Sequence, residues 1–311
     1  MDKKVSDQLV SICIPTYKMP HFLTRCLESI FKQTYKNVEV IVSDDSPGED
    51  IKAVVDSYNH LLTIRYFKNI PALKSPANWN HALDMAKGKY YMLMHQDDWF
   101  AHEQSINNFV RILQTESTDF AFCQNIAVDE KNHLISLQKA ESLPNLNEDY
   151  SKLILVNVIG PPSNVMLQKR VTERYHVNFV WLVDIEYYMR LLQNGYRYSY
   201  INSHQVNIGL HKDQTTVFCM QHPDIIIREN IHIAAGLLSG EFKKIAIFDY
   251  YWRFLRNNHI RSREDLLANG LAAGEIPDVI CKMVEYQKKI PANVLKNGVV
   301  SKLSMLTCYL F

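Results

Sequence analysis

Short unbroken apolar runs alternate along this chain with amphipathic stretches of helical spacing, a pattern that predicts strands alternating with helices. The run Tyr90-Tyr91-Met92-Leu93-Met94, bounded by Gly88, predicts a strand covered on both faces in a parallel sheet. Residues 38–43 predict a second strand, β-branched and apolar, and residues 9–14 a third. Behind Pro15-Thr16-Tyr17, the residues Phe22, Leu23, Cys26, Leu27, Ile30 and Phe31 recur at helical spacing, so residues 9–46 read as a right-handed βαβ unit. Further on, residues 104–113 predict a helix, 119–124 a short strand, and 157–167 a Gly/Pro loop leading into a strand. Residues 129–148 are polar and interrupted by Pro144, and read as a mobile excursion over the sheet. From His222 the pattern turns helical: Ile227, Ile231 and Leu237, then Phe248, Trp252 and Leu255, supply apolar faces broken at Gly270 and Gly274. The expected organisation is an α/β domain over residues 1–218 and a helical region over 219–311.

Two of the predicted strands end on paired carboxylates, Asp44-Asp45 and Asp97-Asp98. Either pair alone is explained by helix capping, since Asp favours helix N-termini. Two pairs delivered to one sheet edge point instead to a ligand, because open α/β sheets bind ligands outside the carboxyl ends of their strands. Paired carboxylates there suit a hard cation that carries phosphates, hence a metal-bound nucleotide. The first turn holds no Gly-x-Gly-x-x-Gly and the chain no P-loop motif, which argues against a dinucleotide enzyme such as a nicotinamide dehydrogenase.

Composition narrows the class further. The chain has 311 residues, enough for one α/β domain and an appendage, and 34 basic against 33 acidic residues, so no global field recruits nucleic acid. Its six cysteines are scattered without metal-site spacing and read as reduced, buried thiols of a cytoplasmic protein. The start, Met1-Asp2-Lys3-Lys4, leads to an apolar run too short for a signal peptide, and no stretch is long enough to span a bilayer.

The order and spacing of Ile14-Pro15-Thr16-Tyr17, Ser29 with Gln33-Thr34-Tyr35, Asp44-Asp45-Ser46, Asn80 with Ala86-Lys87-Gly88-Lys89-Tyr90, and His95-Gln96-Asp97-Asp98 resemble the inverting family-2 glycosyltransferases. The resemblance spans roughly residues 8–215 and implies the GT-A fold: a Rossmann-like, mostly parallel sheet that binds a nucleotide-diphosphate sugar, here with a C-terminal helical extension. It further implies a UDP-sugar donor, Mn²⁺ or Mg²⁺ as cofactor, and a saccharide acceptor, lipid-linked, in bacterial-type surface-polysaccharide synthesis. Pro15, Thr16, Tyr17, Asp45, Asn80 and Asp97 are implied at the nucleotide sugar, with Asp45 on the base and Asp97 on the ribose or donor sugar. Two positions depart from the family pattern. Gln96 stands first in the usual Asp-x-Asp, which leaves Asp98 as the expected metal ligand, and Lys18 replaces the Asn that follows Tyr. The Gln96 departure keeps a rival in view, a non-catalytic sugar-nucleotide-binding scaffold subunit.

Past the sheet, Tyr188, Leu191 and Leu192 follow Asp184 at helical offsets, so Asp184 lies near a helix N-terminus and Glu186 on a different face. By resemblance Asp184 is the general base for the acceptor hydroxyl; the plain alternative is an N-cap. His211, in His211-Lys212-Asp213-Gln214-Thr215, resembles the family's closing His, an expected second metal ligand or diphosphate donor, against which stands an ordinary loop histidine. The last segment mixes Lys288, Lys289, Lys296 and Lys302 with Ile290, Val294, Val299, Leu303 and Leu310. That mixture fits a helix on an anionic membrane surface, the reading favoured here, or a helix packed on the protein with a solvated lysine face.

Overall fold

The computed structural model describes residues 7–129, 133–137 and 143–311. Met1-Asp2-Lys3-Lys4, and residues 130–132 and 138–142 of the expected excursion, lie outside the described residues. The chain opens with β1 (Val10–Thr16), α1 (Pro20–Phe31), β2 (Val38–Asp44), α2 (Asp50–Tyr58), β3 (Thr63–Lys68), α3 (Ala77–Asp84) and β4 (Tyr90–Leu93). It continues through β5 (Trp99–Phe100), α4 (Ser105–Glu116), β6 (Phe120–Cys123), β7 (Ile126–Val128), β8 (Leu134–Leu137), β9 (Val165–Gln168), α5 (Val183–Gln193), β10 (Tyr198–Ile201) and β11 (Val206–Gly209). Helices α6 (Thr215–Gln221), α7 (Pro223–Ala235), α8 (Ile245–Asn257), α9 (Arg263–Ala268), α10 (Asp278–Lys288), α11 (Ala292–Leu295) and α12 (Gly298–Leu310) follow.

The main sheet has seven strands in the order β10-β6-β9-β4-β1-β2-β3, parallel except at β9, which runs antiparallel to both neighbours. Its middle strands are buried on both faces because helices cover both. Alternation in β1 sends Val10, Ile12 and Ile14 to a cluster with Leu23 and Leu27 of α1, and Cys13 to the opposite cluster with Tyr91 and Leu93. Pro20 sits in the first turn of α1, where its missing N–H costs nothing. A second sheet, β5-β11-β7-β8, lies beyond the first.

One expectation is corrected in its described part, and a second is made more specific. The supposed excursion over 129–148 contains β8, paired antiparallel with β7, and a fully buried Leu146; Leu134 and Ile135 of β8 face out, and strand pairing together with Asp129 N donating to His133 O at 3.0 Å satisfies backbone groups. The segment 288–311 does not lie free: Met305 and Cys308 of α12 are buried, and Trp252 Nε1 on α8 donates to Ser301 Oγ at 3.0 Å. The inner face packs because it offers apolar burial together with a partner for a buried indole N–H, while the outer face, with Val299 and Leu303, stays exposed. No helix among the described residues is long and apolar enough to cross a membrane.

The core on one side of the sheet runs through the expected boundary at 218. Tyr187, Met189 and Leu191 of α5 share one cluster with Ile227 and Ile231 of α7 and Trp252 of α8. The helical region is thus packed against the helix that carries Asp184.

Candidate active site

The carboxyl ends of β1, β2 and β4 bring together residues 15–19, 43–46 and 94–98, as the Asp pairs implied. Pro15 and Thr16 are buried at the end of β1, where Thr16 Oγ1 lies 3.3 Å from Asp44 Oδ1. Tyr17 is exposed at the cleft edge. Its backbone is clamped from both sides by Gln96, which accepts from Tyr17 N at 3.2 Å and donates to Tyr17 O at 3.1 Å. The departure at position 96 is therefore a backbone tie between two site loops. Asp44, fully buried, accepts from Tyr66 Oη at 2.7 Å and from Lys68 Nζ at 3.1 Å. Burial opposes its ionisation, but the bonds from Ser46, Tyr66 and Lys68 outweigh it and hold the carboxyl below the usual range. Asp45 is spent on the neighbouring loop: Asn69 Nδ2 (2.9 Å), Leu73 N (3.0 Å) and Lys74 N (2.7 Å) all donate to it.

Asp97 and Asp98 leave the β4 turn in opposite directions. Asp97 Oδ2 lies 2.9 Å from His211 Nε2, so the two distant motifs meet. Phe22 packs on the His211 ring at 4.7 Å, and the Arg25 guanidinium, stacked 3.5 Å from the Trp99 centroid, donates to Asp97 O at 2.9 Å. Asp98 turns inward, where Oδ1 accepts from Gly209 N at 3.0 Å. A Cβ at Gly209 would stand 2.3 Å from Asp97 O, so only glycine lets the β11 backbone approach this turn. Burial, then the adjacent Asp97 charge, pushes the Asp98 carboxyl well up. On Asp97 burial acts the same way, but the His211 bond and the charges of His95 and His211 prevail and keep it low.

The chemistry of this corner fits a divalent cation. Asp98 Oδ2 and His95 Nε2 are buried without a hydrogen-bond partner among the described residues, and one donor atom each from His95, Asp97 and Asp98 lies within 4.8 Å of the others. Burial lowers the His95 pKa, favouring the neutral imidazole that ligates metals. Sequence reasoning expected Asp98 with His211; the geometry instead joins His211 to Asp97 and adds His95, whose motif position signalled it.

A cleft of about 330 Å³ runs from His95 to Asp184, with Trp79, Asn157, Trp181 and Thr215 also in its walls. Asp184 sits in the first turn of α5, its Oδ1 accepting from Ile185 N at 2.8 Å and its Oδ2 from Asn157 Nδ2 at 2.8 Å. Burial pushes its carboxyl up to about 6 against those bonds. Asp184 is not the N-cap; Leu182 holds that place, without a side-chain cap. The cap comes from far along the chain. Buried Glu229 of α7 accepts from Val180 N (2.6 Å), Trp181 N (2.9 Å) and Leu182 N (2.7 Å), immediately before α5 begins. Nothing local in the sequence signals this contact. Asn157, by contrast, could have been found as the polar residue opening the Gly/Pro loop. The Asn80 amide meets the backbone of Tyr175, donating to Tyr175 O at 2.8 Å and accepting from Tyr175 N at 2.9 Å. Both bonds tie α3 to the segment before α5, so the structure gives Asn80 a positioning role there.

Comparison with known proteins identifies the family and the fold. Residues 11–175, more than half of the chain, match the family described as Glycosyl transferase family 2. The UDP-Glc:alpha-D-GlcNAc-diphosphoundecaprenol beta-1,3-glucosyltransferase WfaP of Escherichia coli is 25% identical over 247 residues, 78% of this chain and 92% of that protein. A second E. coli enzyme of the same description, WfgD, is 34% identical over 104 residues, 32% of this chain and 39% of its own. Among solved structures, S. aureus TarS 1–349 superposes with a TM-score of 0.64 at 15% identity, covering 97% of this chain and 89% of that one. Mannosyltransferase PcManGT of Pyrobaculum calidifontis, in complex with GDP-Man and Mn²⁺, gives 0.56 at 15% identity, covering 97% and 85%. At such identities these two likenesses concern the fold.

Proposed function

The chain belongs to glycosyl transferase family 2, and from that premise we propose that it moves a sugar from a UDP-sugar to a hydroxyl of a lipid-linked saccharide by direct displacement with inversion, at the cytoplasmic face of a membrane. The observation that carries the proposal is the single cleft that has His95, beside Asp97 and Asp98, in one wall and Asp184 in another. Donor and acceptor sites thereby meet around one anomeric carbon. The relatives named as acting on a diphosphoundecaprenol-linked sugar support the acceptor class, and TarS complexes with UDP and UDP-GlcNAc support the donor.

Asp184 is the general base. Its carboxyl, pushed to about 6, is ionised at neutral pH yet basic enough to take the acceptor proton. Asn157 fixes one carboxylate oxygen, and Trp181 beside it offers an aromatic face to a sugar ring. On the donor side Tyr17 and the Asp45-held loop 69–74 flank the nucleotide. Asp97, Asp98 and His95 would hold Mn²⁺ or Mg²⁺, with His211 braced on Asp97; such a cation offsets charge on the departing diphosphate as a Lewis acid. Incubation of the protein with labelled UDP-sugar tests the proposal: metal-dependent release of UDP, slow with water and fast with a lipid-linked saccharide, is expected. Donor binding without any turnover would instead favour a scaffold subunit.

A further inference from the structure

The far end of the helical region carries a surface that the transferase reaction does not use. Residues 288–311 contain four lysines and no acidic residue. The outer face of α12 exposes Val299 by 70%, Leu303 by 60% and Leu310 by 72%, and Phe311 follows at 91%. These fall at i, i+4 and i+11, one stripe of the helix opposite the buried Ser301, Met305 and Cys308. Beside the first turn of α12 opens a pocket of about 290 Å³ lined by Arg256, His259, Arg261, Lys296 and Gln287. No carboxylate lines it among the described residues, and Arg256, Arg261 and Lys296 make no ion pair there. Arg256 Nη1 joins the pocket to α12 by donating to Ser301 Oγ at 2.8 Å. Deep in it, the side chain of fully buried Gln287 leaves Oε1 without a partner, while its Nε2 donates to Trp252 O at 2.9 Å.

We propose that this end of the molecule docks on an anionic phospholipid bilayer, with the α12 stripe at the acyl boundary and one phosphate headgroup in the basic pocket. Lys302 on α12 is paired with Asp249 at 3.0 Å, but Lys296 at the head of the helix and the basic pocket beside it leave the apolar stripe next to net positive charge; that is the chemistry of an interfacial helix, and charge complementarity selects an anionic surface over a neutral one. The pocket adds what a helix alone lacks: the Lys296 ammonium as a phosphate donor, the positive charge of Arg256 and Arg261, whose guanidinium groups are held in place by Asn257, Ser301 and the carbonyls of Gln287 and Ile290, and an acceptor, Gln287 Oε1, for a headgroup hydroxyl. Because none of these residues lies in the catalytic cleft, the inference stands apart from the transferase reading.

Co-sedimentation of the full chain with phosphatidylglycerol-containing vesicles tests it. Binding is expected at low salt, falling as NaCl rises and absent with pure phosphatidylcholine. Lys296→Gln should weaken it about fivefold, and Val299→Ser with Leu303→Ser about tenfold or more. The thermal shift given by UDP should be unchanged in these variants, so loss of docking is read separately from loss of the active site. Failure to bind anionic vesicles at low salt, or binding indifferent to the serine pair, overturns the proposal. So does a Lys296-dependent stabilisation by inorganic phosphate without vesicle binding, which would make the pocket a soluble-anion site.

Discussion

Replacing Asp184 by Asn should make the protein both inactive and more stable. The native carboxyl is half-buried in the cleft wall, and desolvation moves it from 3.8 to about 6, so at neutral pH the fold holds an ionised group that the unfolded chain accommodates more easily. A displacement of about two pH units corresponds to about 3 kcal/mol. The penalty is absent below the unfolded value, where both states are protonated; it grows as pH rises through 4 to 6 and is complete above about 6. Asn keeps one acceptor for Ile185 N or Asn157 Nδ2 but never ionises, and its own N–H groups need partners, so about 3 kcal/mol is an upper bound. The expectation is a melting temperature near that of the native chain at pH 4.5, exceeding it by up to about 5 °C at pH 7.5. Turnover should fall by a factor of about 10² or more with little change in UDP binding. Scanning calorimetry of both proteins across this range, with UDP-release kinetics, measures both effects. Parallel pH curves would refute the buried-charge argument, and native turnover in the Asn variant would remove Asp184 from the role of base.

Other expectations are as direct. The native turnover should itself decline as pH drops through about 6, as Asp184 takes up its proton, visible in a kcat profile. Glu229→Gln keeps one oxygen for Trp181 N and Leu182 N but turns an amide N–H toward the Val180 N donor, so it should cost about 1–3 kcal/mol in urea unfolding and lower kcat more than it weakens UDP binding. Gly209→Ala drives a Cβ into Asp97 O and should abolish the thermal shift produced by UDP with Mn²⁺, whereas a native shift would show that the turn relaxes. Asp98→Asn preserves an acceptor for Gly209 N and should melt close to the native chain, yet lose the Mn²⁺-dependent part of that shift; an intact Mn²⁺ response would take Asp98 out of the cation site.

The parts of this fold that were legible in the sequence are those dictated by local pattern. The strands at residues 10–16, 38–44 and 90–93, the helix behind the first, and the convergence of both Asp pairs all follow from runs and spacing. The 129–148 segment misled because its strand is only Leu134-Ile135-Ser136-Leu137, too short a run to stand out among polar neighbours, and Leu146 between Asn145 and Asn147 looks incidental. In the site, Asp97, Asp98, Asp184 and His211 could be singled out from their neighbours, but their division of labour could not. Which carboxylate of 97 and 98 turns inward depends on Gly209, and which residue braces Asp97 on His211; each lies more than a hundred residues away. Asn80 shows a converse case: a residue singled out by a motif whose amide also holds the backbone of Tyr175, 95 residues away, which no local pattern signals.

Glu229 has a consequence for any attempt to recombine members of this family. Cutting at 218 and grafting another enzyme's helical region would look like exchanging an accessory module. It would instead remove the carboxylate that holds Val180, Trp181 and Leu182, together with the apolar side chains that complete the core behind α5. A chimera of that kind is expected to retain nucleotide binding, whose loops are braced within residues 15–98, while losing sugar transfer. Acceptor choice and the C-terminal helices would then be inherited together, so that a viable exchange must begin before residue 157 and carry the Asn157 loop, α5 and α7 as one piece.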